Sequence, residues 1–266
     1  MFEFFLGLIL LGIFAGLLSG FFGIGSGVIL VPAFVFLFNL LDFPSEIIPI
    51  LATGTAMTTM AITIPMASYI HYKNKNVNLD MVKKMFWMGF IMTFSGRYIA
   101  LFIQSSTLQI IIAVSLILAA IQIAFNFSPK SQNRETSTIE LVIVSGIIGL
   151  ITSFVGIGGG ILLIPYFKYR GLSIHEAIGT SSLMGLAFAT SGALGALLFA
   201  PIEAIEIKGL YNSAYIPAVL ITGLTSVYFA RLGANLSART ESNNLRFAFS
   251  ILVILAALRV FYITFL

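Results

Sequence analysis

The chemistry open to this chain is that of peptide groups and hydroxyls, with few charged side chains to assist. In GFFGIGSGVILVPAF, residues 20–34, glycines alternate at 23, 25 and 27 ahead of Pro32, and SFVGIGGGILLIPYF repeats the pattern at 153–167. Gly16, Gly23, Gly25, Gly27, Pro32 and Phe34 match Gly149, Gly156, Gly158, Gly160, Pro165 and Phe167 at a constant offset. Glycine accepts backbone angles closed to other residues and lets another group approach the main chain closely. Small residues also serve helix packing in membranes, but an alternating spacing does not stay on one helix face, so a break in the helix fits better. Beyond each break, Val28 to Pro32 and Ile161 to Pro165 begin a new helix, where proline is tolerated. Its first amides lack an intrahelical partner and carry the positive end of the helix dipole. The backbone amides of Gly25, Ser26, Gly27 and Val28, and of Gly158, Gly159, Gly160 and Ile161, with Gly23 and Gly156 at the turns, therefore form a candidate anion cradle.

Hydroxyls make a second constellation. ATGTAM at 52–57 resembles AIGTSS at 177–182, each with a Gly-Thr pair, Gly54-Thr55 and Gly179-Thr180. Thr53, Thr55, Thr58 and Thr59 cluster in one copy, and Thr180, Ser181 and Ser182 in the other. Such hydroxyls often bond their own backbone; Thr55 and Thr180, with Ser181, are the candidate ligand contacts. Arg97, about six residues from the end of its apolar span, either snorkels outward or faces a cavity as a substrate contact. Arg231 is a parallel candidate, Arg259 reads as an interfacial or packing residue, and His175 beside Glu176 could form a proton-linked pair. With no cysteine, two histidines and scattered carboxylates, the chain offers no thiolate site and no metal-ligand or acid–base spacing such as HExxH. No catalytic, cofactor or metal residues are assigned.

The solvent around these residues follows from composition. Hydrophobic residues make up 59% and charged residues 9%, and the mean hydropathy is +1.05, which leaves too little polar surface for a water-soluble globule. Runs without any charge, such as Glu3 to Asp42 and Arg97 to Lys130, exceed the roughly 20 residues that cross a bilayer as a helix. They are continuous rather than alternating, so helices are expected and a barrel is not. The net charge is +4, and most basic residues lie in short loops between apolar spans, where membrane orientation explains them without a nucleic-acid partner. The partners implied are a lipid bilayer and a small anion; a homo-oligomer is compatible with the sequence. The amino terminus MFEFFLGLIL reads as a first membrane helix, because it lacks a basic start and a small-residue cleavage site.

A third internal match, ILAAIQIAF at 117–125 with ILAALRVFY at 254–262, makes the chain a duplication. The first repeat covers 1–127, a polar linker 128–140, and the second repeat 141–266. Apolar spans at about 4–22, 28–41, 47–70, 85–103 and 108–127 are followed by 141–155, 161–167, 177–199, 211–236 and 245–266, five elements per half. The loop after the third carries His71, Lys73, Lys75, Lys83 and Lys84 with Asp80, whereas its counterpart carries Glu203, Glu206 and Lys208. The positive-inside rule places the first loop in the cytoplasm and the second outside. The fold class expected is thus an all-α integral membrane protein of two inverted repeats, each a glycine-broken helical hairpin plus three transmembrane helices, with the linker inside and both termini outside. Inverted repeats with broken helices mark secondary transporters.

The duplicated G-I-G-(S/G)-G…P segment, preceded by Gly16 and Gly149 and followed in each half by a Gly-Thr pair, resembles the sulfite exporter TauE/SafE family over essentially the whole chain. The resemblance implies a multi-pass carrier of sulfite, organosulfonates or related anions in the bacterial cytoplasmic membrane. The first copy departs from the fuller GIGGG form, with Ser26 opposite Gly159. Two other readings stand beside it: a cation-coupled or cation-carrying transporter built on hydroxyls and unwound carbonyls, and, less well supported, an integral membrane enzyme.

Overall fold

The computed structural model describes residues 2–22, 25–125, 136–200, 207–237 and 243–265. Among these residues ten helices run in order: α1 Phe2–Phe22, α2 Gly27–Leu40, α3 Ile48–Lys73, α4 Leu79–Ala100, α5 Ser105–Phe125, α6 Thr138–Val155, α7 Gly160–Tyr169, α8 Ile174–Leu198, α9 Ile216–Ser237 and α10 Asn243–Phe265. A two-stranded turn, β1 Leu210–Tyr211 against β2 Ala214–Tyr215, precedes α9. Six of the described helices, α1, α3, α5, α6, α8 and α9, are long and apolar enough to cross a membrane. The five elements expected in each half are all present, and the first break falls between α1 and α2, the second between α6 and α7. Gly23 and most of the expected linker lie outside the described residues.

Several helices start earlier than hydropathy places them; at α4 and α8 charged and capping residues form the first turn. Asn78 caps α4 by accepting from the Met81 amide, and Lys84 pairs with Asp80 one turn on. At α8 the Ser173 side chain and Glu176 form a capping box, so the Glu176 carboxylate is spent on the cap rather than on His175.

The halves pack through each other. In the centre α3 and α8 run antiparallel: Ser68 meets Ser182, Ile64 meets Gly185, and Met57 meets Gly192. On one flank α4 lies parallel to α6, with Ser145 donating to the Met85 carbonyl and Thr93 to the Gly149 carbonyl. On the other α1 lies parallel to α9, with Ser226 donating to the Gly12 carbonyl. α5 packs on α10. Exchanging the halves maps each of these pairs onto its equivalent. Gly16 and Gly149 belong to these seams: a methyl at Gly16 would lie 2.6 Å from the Ser226 carbonyl oxygen, and one at Gly149 2.7 Å from that of Gly89. In lipid, where apolar burial drives little association, close contact of small residues and interhelical hydroxyl bonds hold helices together.

Both broken segments are hairpins. Tyr166 and Arg170, at the end of α7, both donate to the Glu140 carboxylate at the start of α6, so the two arms open on the same side. Phe4 of α1 and Phe38 of α2 both pack on Tyr215, with ring centroids 6.4 and 5.8 Å away, so the first hairpin opens beside that turn. The turn binds α3 near its Ile48 end, while the second hairpin opens beside the 74–78 loop at the Lys73 end. The hairpins thus enter from opposite ends of the α3–α8 pair. With 14 residues in α2 and 10 in α7, their second arms reach about 21 and 15 Å, together near the roughly 30 Å of a hydrocarbon core.

Candidate functional site: a junction of two helix breaks

The tips of the two hairpins touch. Gly27 lies directly against the Gly156 carbonyl, and a Cβ on Gly25 would stand 3.2 Å from the Ile157 carbonyl oxygen and 3.8 Å from the Gly158 Cα. Left-handed backbone makes the turns: Gly25 has φ +86°, and Gly156, Gly158 and Gly159 have φ +74°, +78° and +73°. An L side chain in that region costs about 1–2 kcal/mol. Ser26 stands opposite Gly159 in the repeat because the two backbones differ there, Ser26 being right-handed at φ −73°. The first helix turns of α2 and α7 leave the junction, so the Gly27, Val28, Gly160 and Ile161 amides begin helices without intrahelical acceptors.

From the junction a cleft of about 290 Å³, open mouth included, runs between α3 and α8. Most of it is mouth, and its enclosed part has room for about one water. Gly25, Gly158, Gly160, Ser19, Ser181, Ser182, Gly185, Ile64 and Ala67 line it. On the symmetry-related side Met60 fills the corresponding space, its sulfur 3.3 Å from where a Cβ on Gly158 would be. The cleft therefore owes its room to smaller residues of the second half: Gly185, Ser181 and Ser182 stand where the first half has Met60, Ala56 and Met57.

Of the residues singled out from sequence, Gly25, Gly158, Gly160 and Ser181 come together on the cleft wall. Ser26 lies beside it, fully buried, its hydroxyl without a partner, while Val28, Gly156, Gly159 and Ile161 are buried around the turns. Thr55 and Thr180 are elsewhere. Thr55 Oγ1 accepts from the Tyr215 amide at 3.0 Å, and Thr180 Oγ1 accepts from the Asn78 amide at 2.9 Å. Beside each, Gly54 lies against the Ser213 carbonyl and Gly179 against the Asn76 carbonyl. Each Gly-Thr pair thus fastens the turn that enters the fourth helix of the opposite half. Burial in this turn also pushes the Tyr215 phenol above its ordinary range.

Arg97 does not snorkel. It is 1% exposed, its stem packs on Gly195, and its guanidinium bonds within the bundle. Burying a charge without a counter-charge costs several kcal/mol. Arg231 is exposed, and Arg259 lies over the Phe36 and Tyr262 rings at 5.8 and 5.6 Å as an interfacial side chain does. Sequence reasoning missed Ser19, although Thr152, its counterpart at the same offset, is also a hydroxyl; Thr152 Oγ1 is buried without a partner.

Broken helices, in a chain with this many apolar spans, define a multi-pass membrane protein whose irregular backbone meets inside the bundle. The chain belongs to the sulfite exporter TauE/SafE family, whose profile it matches over residues 8–260. It is 28% identical to a probable membrane transporter protein of Haemophilus influenzae, over 98% of this chain and 99% of that one. A probable membrane transporter protein of Methanocaldococcus jannaschii is 30% identical over 91% of this chain and 90% of its own. The probable membrane transporter protein YdhB of Bacillus subtilis is 29% identical over 71% and 77%. No solved structure matches the chain.

Proposed function

We propose that this membrane transporter is a secondary carrier of a small anion, working by alternating access, with a sulfur-containing anion such as sulfite, thiosulfate or an organosulfonate as its substrate. The family and the names of its relatives support membrane transport; the negative charge of the substrate is argued from the site, and its sulfur-containing class from the resemblance to the family alone. The observation that carries it is the contact between the two glycine breaks, from which two helices depart with their free amides and positive dipole ends at one end of a small cleft. Gly25 to Val28 and Gly158 to Ile161 supply the amides, and Ser26 and Ser181 the nearby hydroxyls. Thr55 and Thr180 enter this reading as catches on the turns that must move. Hairpins opening at opposite ends of α3 and α8 favour inverted repeats, with one hairpin rocking against the other around a fixed centre. The basic 73–84 stretch then faces the cytoplasm of a bacterial inner membrane.

A second reading, coupling to a cation, draws on the Gly156 and Ile157 carbonyls at the junction and the unpartnered Ser26 and Thr152 hydroxyls. In proteoliposomes, replacing sodium and collapsing the pH gradient separate coupled from uncoupled flux. The carrier reading is tested in the same vesicles with sulfite, thiosulfate and a sulfonate. Gly25→Val and Gly158→Val are expected to insert normally and lose flux; wild-type flux in both would remove the cradle.

A further inference from the structure

Among the described residues Arg97 is the only charged side chain in the buried core, and none of their carboxylates pairs with it. Its Nη1 donates to Thr53 Oγ1 at 2.8 Å and to the Ser153 carbonyl at 3.4 Å, and Nη2 donates to the Ile50 carbonyl at 3.2 Å. All three acceptors are neutral. Nε is buried with no partner, and Nη2 keeps one proton beyond the Ile50 bond. Nε–H and Nη2–H are the donors of the side-on edge by which a guanidinium holds two oxygens of one oxyanion.

The position of this edge adds to its chemistry. Along α3 the cleft lies at Ile64 and Ala67, whereas Arg97 sits at Ile50 and Thr53, about 21 Å back along the helix. The glycine junction lies between: Thr53 itself packs on Gly156, whose added Cβ would be 3.2 Å from the Thr53 Cβ. Gly54 separates the guanidinium from the Ser213–Tyr215 turn; a Cβ there would lie 2.9 Å from Nη2 and run into the Ser213 carbonyl. The turn thus lies across Gly54 on the Nη2 side of the charge, and Thr55 bonds its backbone.

We propose that Arg97 is a second oxyanion site, separate from the cleft, which opens when the Ser213–Tyr215 turn lifts off Gly54 and Thr55, so that a small anion passes between Arg97 and the cleft across the glycine junction. This rests on the anion-carrier reading above. The ligand is a small anion presenting two oxygens, such as sulfite, a sulfonate or a carboxylate. Ala234 stands opposite Arg97 in the repeat, so the second half has no equivalent cation and the site serves one membrane face only.

The test uses the full chain in liposomes with sulfite as probe, and initial rates measured from each face. An apolar replacement of an unpaired buried charge preserves or raises stability, so Arg97→Met is expected to unfold at or above the wild-type temperature while sulfite flux falls at least 100-fold. Arg97→Lys keeps the charge without the side-on edge. It is expected to raise KM roughly tenfold at the face beside the Ser213–Tyr215 turn and to leave KM at the other face unchanged. Wild-type rate and KM in Arg97→Met would overturn the proposal. So would an unstable Arg97→Met accompanied by equal loss at both faces in Arg97→Lys, which marks a structural tie. If Glu203→Gln or Glu206→Gln reproduces Arg97→Met in every readout, the charge is paired within the chain and the second site falls. Gly158→Val separates this proposal from its parent: a dead Gly158→Val beside a normal Arg97→Met sinks only the Arg97 site, while a wild type that moves no oxyanion sinks both.

Discussion

Ser26 and Gly159 occupy the same place in the two repeats and carry opposite constraints. Gly159 has φ +73° and a Cβ added to it would come within 2.5 Å of the Phe188 ring, so Gly159→Ala combines backbone strain of about 1–2 kcal/mol with a clash. A lower unfolding temperature in detergent is the expected result, and an unchanged one would mean that the second break relaxes freely. Ser26 is right-handed and its buried hydroxyl has no partner. Ser26→Ala removes an unsatisfied group, so stability is expected to hold or rise, while affinity for the anion falls if the hydroxyl is a ligand. Equal affinity in Ser26→Ala and wild type would leave binding to the amides alone. The glycine breaks were legible in the sequence because glycines at alternate positions do not stay on one helix face and the pattern occurs twice. Which hydroxyls face the cleft was not legible, since Thr55 and Ser181 lie on equally apolar helices and only the neighbouring chain decides what each one meets.

At the scale of elements, the two Gly-Thr pairs act as matched catches. Thr55 holds the turn before α9, and Thr180 holds the loop before α4, at opposite ends of the α3–α8 pair. Replacing either threonine by valine leaves a partly buried amide without its acceptor, at a cost of about 1 kcal/mol, since water can reach it. Thr55→Val and Thr180→Val are each expected to lower thermal stability by a similar amount, and the double variant by about the sum, because the sites share no partner. No loss in either variant would show that water replaces the hydroxyl, and the turns would not be fastened. The same pairs show how duplication guides and misleads. Their recurrence marked them as important, and the function inferred from recurrence was ligand binding; the geometry gives them the opposite half's turns to hold. Helix starts at Leu79 and Ile174 were missed for a related reason: capping and charge pairs extend a helix past its apolar stretch, beyond the reach of hydropathy.

For the whole molecule, the account requires that the hairpins enter from opposite membrane faces. The chain has no native cysteine, so single replacements give a clean background. Lys83→Cys, in the exposed first turns of α4, is expected to react with a membrane-impermeant maleimide only from the cytoplasmic side, and Tyr211→Cys, 58% exposed in the turn before α9, only from the opposite side. Labelling of both from one face would contradict inversion. The ten helical elements were visible in the periodicity, and the duplicated glycine pattern already leads to the expectation that two breaks some 130 residues apart meet; which atoms touch there was not legible, because such a contact leaves no local trace. That meeting is the central claim. Thermal unfolding of the purified protein against sulfite, thiosulfate, sulfonates and carboxylates tests it most directly. A ligand at 100 times its Kd stabilises the folded state by about 2.7 kcal/mol. At least one such anion is expected to raise the unfolding temperature of the wild type and to leave that of Gly158→Val unmoved. A screen in which no anion shifts the wild type, or in which both proteins shift alike, would contradict an anion site where the two helix breaks meet.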